Sequence, residues 1–268
     1  MFNALRNIFR RRPKPRLAAV PDGTRYYVIG DIHGRLDLFD AMVAEIEADD
    51  AQRPGFETHV ILLGDLVDRG PDSAGVVARA RAWQAKRSVR VLAGNHEEMM
   101  LGAFDKPEVL RHFLKHGGRE TILSYGLSKK KFNAMNLDEL FALLPKLIPQ
   151  SERDYIAAFE EMIIAGDYLF VHAGIDPKVP LEEQKRRDLL WIRDRFLNHE
   201  GPLDKVVVHG HTIFDKVMDC GNRIGIDTGA FRSGVLTALV LEADQRRVIQ
   251  ASRTDNGPVE VFHGERAR

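Results

Sequence analysis

The chain has 268 residues, 44% of them apolar, and its 39 basic and 39 acidic side chains cancel. A chain of this size and composition can bury the core of one large domain, and its neutral balance supplies no global field for nucleic acid, so any phosphate recognition has to be local. The single cysteine, Cys220, excludes an intramolecular disulfide and a thiolate-based zinc finger, and no apolar run approaches the roughly 20 residues of a membrane span.

Residues 1–24 read as a basic tail. Phe2, Leu5, Ile8 and Phe9 fall near one helical face, and Arg10, Arg11, Arg12, Lys14 and Arg16 follow, broken by Pro13 and Pro15. A solvated tail is the expectation, with weak contact to an anionic membrane surface or an acidic partner as the alternative. A helix this short is marginal alone, and stable anchoring needs a second signal. The long apolar core and small-residue cleavage site of a secretory signal are missing, so a cytoplasmic setting is expected.

From residue 25 to 265 the pattern is that of one domain. Strands are predicted near 26–30, 59–63 and 89–93, with helices near 36–48 and 72–86 between them. Crossovers of that length imply parallel strands. Between about 97 and 165, Leu110, Phe113 and Leu114, then Leu137, Leu140, Phe141 and Leu144, then Ile156, Phe159, Met162 and Ile163 recur at helical spacing, which predicts a helical insertion. Strand character returns at 168–171 and 205–208. Short segments near 214–219, 223–226, 235–242, 246–251 and 259–262 follow, punctuated by Gly, Asp and Asn, and are expected to form an antiparallel meander making a second sheet packed on the first.

The chemistry is concentrated where these strands end. Gly30-Asp31-Ile32-His33-Gly34 follows the first strand, Gly64-Asp65-Leu66-Val67-Asp68-Arg69-Gly70 the second, and Gly94-Asn95-His96-Glu97 the third, with later histidines at His172 and from His209 to Thr212. Carboxylate oxygen and neutral imidazole nitrogen suit a hard or borderline divalent cation. The candidate ligands are Asp31, His33, Asp65, Asn95, His172 and either His209 or His211. Asp31 and His33 are two apart, so an extended backbone would point both to one side. Two carboxylates and an arginine between the glycines of the second motif serve no packing purpose. Arg69 offers a planar guanidinium fork for phosphoryl oxygens.

In that order, the motifs resemble those of the calcineurin-like metallophosphoesterases, and the Asp68-Arg69-Gly70 ending resembles the bacterial phosphoprotein phosphatases among them. The resemblance covers residues of about 25 to 240. It implies an α/β fold, a four-layer αββα sandwich of two mixed sheets, with two divalent metal ions at its edge: manganese foremost, with iron, zinc, nickel or cobalt as alternatives. By the same resemblance Asp31 and His33 hold the first metal, Asp65 bridges both, and Asn95, His172 and His211 complete the second. His209 is left to packing or to supporting a ligand. Ile213 stands where many phosphodiesterases of this fold carry a further histidine ligand, which favours the monoesterase branch.

The resemblance also makes His96 the general acid for the leaving group, with Asp68 orienting it. A carboxylate beside an imidazole favours the charged form. An extra-ligand role for His96 is the alternative. Phosphate contacts are expected from Arg69, from Asn95 and, through similarity to a Trp-Ile-Arg segment, from Arg193, while Arg195 reads as an exposed partner of a nearby acid. The expected function is a metal-dependent phosphatase in which a metal-bridging hydroxide attacks phosphomonoesters in line, acting on phosphoserine and phosphothreonine in proteins. Hydrolysis of symmetrical dinucleoside polyphosphates such as diadenosine tetraphosphate is the alternative. The partner is a phosphorylated protein or a small phosphoester, and no nucleic acid is expected.

Overall fold

The computed structural model describes residues 17–253 and 257–264. Most of the basic tail, residues 1–16, lies outside them.

The first half of the domain is built as its pattern predicts. β1 (Thr24–Ile29), α1 (Leu36–Gln52), β2 (Glu57–Leu62), α2 (Ser73–Gln84) and β3 (Val89–Val91) alternate, and the three strands are parallel. On α1, Leu38, Phe39, Met42, Val43 and Ile46 recur every three or four residues and are buried. Each such side chain stabilises the fold by roughly 1.5–3 kcal/mol. A helical stretch follows: α3 (Asn95–Gly102), α4 (Pro107–Phe113), α5 (Arg119–Ser124), α6 (Lys129–Ala134), α7 (Leu137–Leu147) and α8 (Gln150–Ala157). Residues Leu114–Gly118 join α4 to α5 through a kink at Gly117, where φ is +109°.

The second half runs β4 (Met162–Ala165), β5 (Tyr168–Val171), α9 (Arg186–Trp191), α10 (Asp194–Leu197), β6 (Val206–His209), β7 (Met218–Asp219), β8 (Arg223–Gly225), α11 (Ala230–Ser233), β9 (Val235–Glu242), β10 (Gln245–Ser252) and β11 (Glu260–His263). One sheet has the order β11-β10-β9-β1-β2-β3 and the other β4-β5-β6-β8-β7. Both are mixed: β9 lies antiparallel to β1, and β5, β6 and β8 are parallel while β4 and β7 are antiparallel to their neighbours.

Two expectations are corrected. The segments from 235 onward do not join a second sheet with those at 214–226. β9 pairs with β1 and carries β10 and β11 into the first sheet, and its interior residues, Leu236 to Leu241, are all buried because it sits at the sheet's centre. The helical stretch ends at Ala157, and Met162–Ala165 is an edge strand paired with β5. Its burial alternates, Ile163 and Ala165 inward and Ile164 outward, a period of two that a four-residue apolar run conceals.

The layers follow from which side chains meet. Val28, Ile61, Leu239 and Leu241 of one sheet pack against Ile163, Phe170, Val208 and Ile224 of the other. Tyr27, Ile29, Leu62 and Val240 face α1, α2 and the helical stretch, and on the far side Leu169, Val171 and Val207 pack under Leu189, Ile192 and Phe196 of the α9–α10 region. This is the four-layer αββα sandwich. Parallel strands β1, β2 and β3 of one sheet and β5, β6 and β8 of the other all end on one edge, where α/β proteins place their sites.

Candidate metal centre

The loops at that edge are held in backbone conformations that side chains rarely adopt. His33, Asp65, Asp68, Arg69 and His211 all have positive φ, between 46° and 74°, each at a cost of about 1–3 kcal/mol. Glu97 is what holds the tightest of them. Its buried carboxylate accepts the N–H groups of Asp65 and Gly94 on Oε2, both at 2.8 Å, and those of Leu66 at 2.8 Å and Val67 at 3.3 Å on Oε1. Burial, with the Asp65 charge adding, pushes the Glu97 carboxyl up to about 7. The carbonyl of Asp65 in turn accepts the N–H of His33 at 2.8 Å, tying the first two motifs together.

Two groups of buried ligand atoms share Asp65: His33, Asp65 and His96 in one, and Asp65, His172 and His211 in the other. The tautomers are set from behind. His33 Nδ1 donates to Val67 O and His172 Nδ1 to Leu63 O, each at 2.8 Å, which leaves both Nε2 lone pairs facing inward. Burial holds His33 and His172 below the ordinary histidine range and, with His172 adding, pushes His211 down to about 2, so all three rings are neutral donors.

Asn95 lies within the second group, its Oδ1 3.0 Å from His172 Nε2 and 2.8 Å from His211 Nδ1. His172 thus turns an acceptor toward another acceptor, an arrangement that a cation resolves. His211 Nε2 is buried without a partner. Oxygen and imidazole donors converging in this way fit a pair of divalent cations.

His96 is treated differently. Its Nδ1 lies 2.6 Å from Asp68 Oδ2. Burial opposes a charge on the ring, but Asp65 and the Asp68 hydrogen bond outweigh it and raise His96 above its ordinary value. Asp68 is fixed by the Thr121 hydroxyl, which donates to its Oδ1 at 2.6 Å, and its N–H donates to Ser73 Oγ and Thr121 Oγ1, both at 2.9 Å. Arg69 donates from Nη1 to His33 Nε2 at 2.7 Å, with Nη2 2.8 Å from His96 Nε2 and the guanidinium 4.8 Å from the Phe231 ring centre. The N–H of Arg69 is held by Gly117 O at 3.1 Å.

The remaining expected residues fall at the rim or behind the ligands. Asp31 is in neither ligand group: its two oxygens accept the N–H of His211 at 3.1 and 3.2 Å. Arg193 is exposed, with Nη1 3.4 Å from Thr212 Oγ1. His209 packs edge-on against Phe196 and Phe214 and is pushed down to about 4 by burial, a packing residue. Arg195 pairs with Asp176 and Asp188, as expected of an exposed partner.

Glu97, Ser73, Thr121 and Asp227 also build the site, without a role expected from their motifs. Asp227 has a legible signal, since Asp227-Thr228-Gly229 follows β8 as the other Asp-and-Gly motifs follow theirs. Thr121 has none, because only the fold brings α5 to Asp68.

Two ligand groups sharing a carboxylate, on the edge of an αββα sandwich, with a guanidinium and a carboxylate-backed histidine facing them, define a binuclear metallophosphoesterase. The chain belongs to the family of the calcineurin-like phosphoesterases, whose model matches residues 24–230. It is a hydrolase of phosphoesters, and its family depends on a binuclear metal centre.

Among its relatives, serine/threonine-protein phosphatase 1 of Salmonella typhimurium is 30% identical over 217 residues, 79% of this chain and 89% of that protein. The asymmetrical bis(5'-nucleosyl)-tetraphosphatase PrpE of Oceanobacillus iheyensis is 25% identical over 231 residues, covering 79% and 86%. The cold-active protein-tyrosine phosphatase of a psychrophilic Shewanella shares the fold, with a TM-score of 0.54 at 18% identity over 88% of this chain and 81% of that one. Among the described residues no helix is long and apolar enough to cross a membrane.

Proposed function

We propose that the chain removes phosphate from phosphoserine and phosphothreonine in proteins, with manganese as the foremost metal. The observation that carries this reading is the 2.6 Å contact between His96 and Asp68 beside the ligand groups. A serine or threonine alkoxide is a poor leaving group and needs a proton as its bond to phosphorus breaks, whereas the phosphoanhydride of a dinucleoside polyphosphate departs as a stable anion. A histidine whose Nδ1 is held by a buried carboxylate can supply that proton from Nε2.

In this reading Asp31, His33 and Asp65 hold the first cation, and Asp65, Asn95, His172 and His211 the second. When bound, the two ions supply positive charge for the phosphoryl oxygens and bring water toward ionisation near neutral pH. Arg69 orients the phosphoryl group through its fork, with Asn95 and Arg193 adding donors from the other side. His96 Nε2, which faces Arg69 Nη2 at 2.8 Å, takes the proton that it passes to the leaving oxygen once the phosphoryl group draws the Arg69 fork away, while Asp68 keeps Nδ1 protonated and the ring in line. Residues 25–265 form the catalytic domain, and the helical stretch after Asn95 contributes Thr121 behind Asp68.

Hydrolysis of dinucleoside polyphosphates is the second reading, favoured by the relatives named as bis(5'-nucleosyl)-tetraphosphatases. Catalytic efficiency measured on a phosphothreonine peptide and on diadenosine tetraphosphate, with manganese in both, separates the two. A preference of about 100-fold for the peptide, worth about 2.7 kcal/mol, is expected. The opposite preference would replace the first reading by the second.

A further inference from the structure

Asp227 is buried at 2% exposure and belongs to neither ligand group. It follows β8, at the same edge as the ligands. Its carbonyl accepts the Phe214 N–H at 2.9 Å and its Oδ1 the Gly229 N–H at 2.8 Å, so the side chain is locked from behind. Its Oδ2 has no partner. Gly30, next to Asp31, packs closely here, a Cβ on it standing 3.5 Å from Asp227 N, and the Asp227 carboxyl lies within the fields of Asp31 and Asp65.

Carboxyl groups buried side by side are costly unless a proton or a cation lies between them. Among the described residues no cationic side chain hydrogen-bonds Asp227. Arg69 reaches Asp227 with its charge but aims its donors at His33 and His96. On the other side Ile213 presses on the same turn, its Cγ2 3.0 Å from where a Cβ on Gly229 would stand, and it offers only methyl groups.

We propose that Asp227 is a third carboxylate of the first metal position, acting on the cation together with Asp31 and Asp65. The inference rests on the two-metal reading. It makes the two positions chemically unequal. The first is set by three carboxylates and one imidazole, the second by one shared carboxylate, an amide and two imidazoles. Oxygen-rich sets favour hard ions such as manganese or magnesium, and imidazole-rich sets favour zinc.

The test is a manganese titration of the whole chain after chelation, following free manganese by electron paramagnetic resonance and bound metal by elemental analysis. The native chain is expected to take up two equivalents. Asp227→Asn keeps an acceptor for the Gly229 N–H and the side-chain volume but loses the charge, and should bind one of the two ions about 10- to 100-fold more weakly. Manganese binding at the other position should be unaffected. Asp227→Ser should behave alike, and serves if the Asn variant does not fold.

Two equivalents bound with native affinity by the Asn variant, or by the Ser variant in its place, overturn the inference alone. Failure of both variants to fold gives Asp227 a structural role and overturns it as well. A native chain that does not bind two ions overturns instead the two-metal reading beneath it.

Discussion

The Thr121 hydroxyl donates to Asp68 Oδ1 at 2.6 Å across 53 positions of sequence, so α5 of the helical stretch holds the carboxylate behind His96. Thr121→Val preserves shape and removes that bond, at a cost of about 1–3 kcal/mol to whichever state needs it. The turnover of a phosphothreonine peptide is expected to fall about tenfold or more, and that of para-nitrophenyl phosphate much less. Steady-state kinetics on both substrates check this, and equal losses would detach Thr121 from proton transfer.

His96→Asn should lower turnover of the peptide by roughly 10²–10⁴-fold. The loss should shrink for para-nitrophenolate, which needs no proton to leave, and elemental analysis should find both metals still bound. A variant that loses a metal would move His96 to the ligand role that its neighbourhood with His33 and Asp65 also permits.

Glu97 accepts four backbone N–H groups through two carboxylate oxygens. Glu97→Gln turns one of those oxygens into a donor facing donors, and should cost about 1–3 kcal/mol, with a fall in melting temperature of roughly 2–4 °C for each kcal/mol. Calorimetry measures it, and metal affinity should fall in parallel because Asp65 is no longer pinned. Unchanged melting would mean that the loop holds itself.

Gly117 has φ +109°, and a Cβ there would stand 2.8 Å from the backbone nitrogen and the Cγ of Arg69. Gly117→Ala therefore pushes Arg69 off its seat. The expected outcome is a raised KM for small phosphoesters and several-fold weaker inhibition by inorganic phosphate, with metal content untouched. Native values for both would show that Arg69 does not bear on phosphate.

Away from the site, burial raises the Asp37 carboxyl, but Arg35 and Arg253 more than reverse this and hold it at about 2. Its ordinary value is near 3.9. A carboxyl lowered on folding stabilises fully above its unfolded value and stops doing so as pH falls through the folded one. Asp37→Asn should thus melt below the native chain at pH 6, with the gap narrowing between pH 4 and pH 3. A gap constant across that range would show that the ion pairs add nothing.

Most of the residues that meet at the site were legible because they sit beside a glycine at a strand end, where one side-chain type at one spacing has few other uses, and His172, between Val171 and Ala173, was legible from its strand end alone. His209 and His211 show the limit of that signal: two residues apart, they differ only in what the fold packs around them, Phe196 and Phe214 for one and Asn95 for the other. Sheet membership was less legible for the same reason. The alternation in β9 announces a strand but carries no record of its partner, and β1 lies more than 200 positions upstream. Met162–Ala165 satisfies both periods, so only its pairing with β5 decides. Asp31 is expected as a ligand from its motif, and its oxygens are turned to the His211 N–H, a relationship between loops that no local pattern encodes.

The left-handed backbone at His33, Asp65, Asp68, Arg69 and His211 also bears on how this chain can change. Glycine would sit more comfortably at every one of those positions. The strain is kept because the side chains there are buried or half-buried and hydrogen-bonded within the site, so relaxing the backbone at one of them would unseat its neighbours.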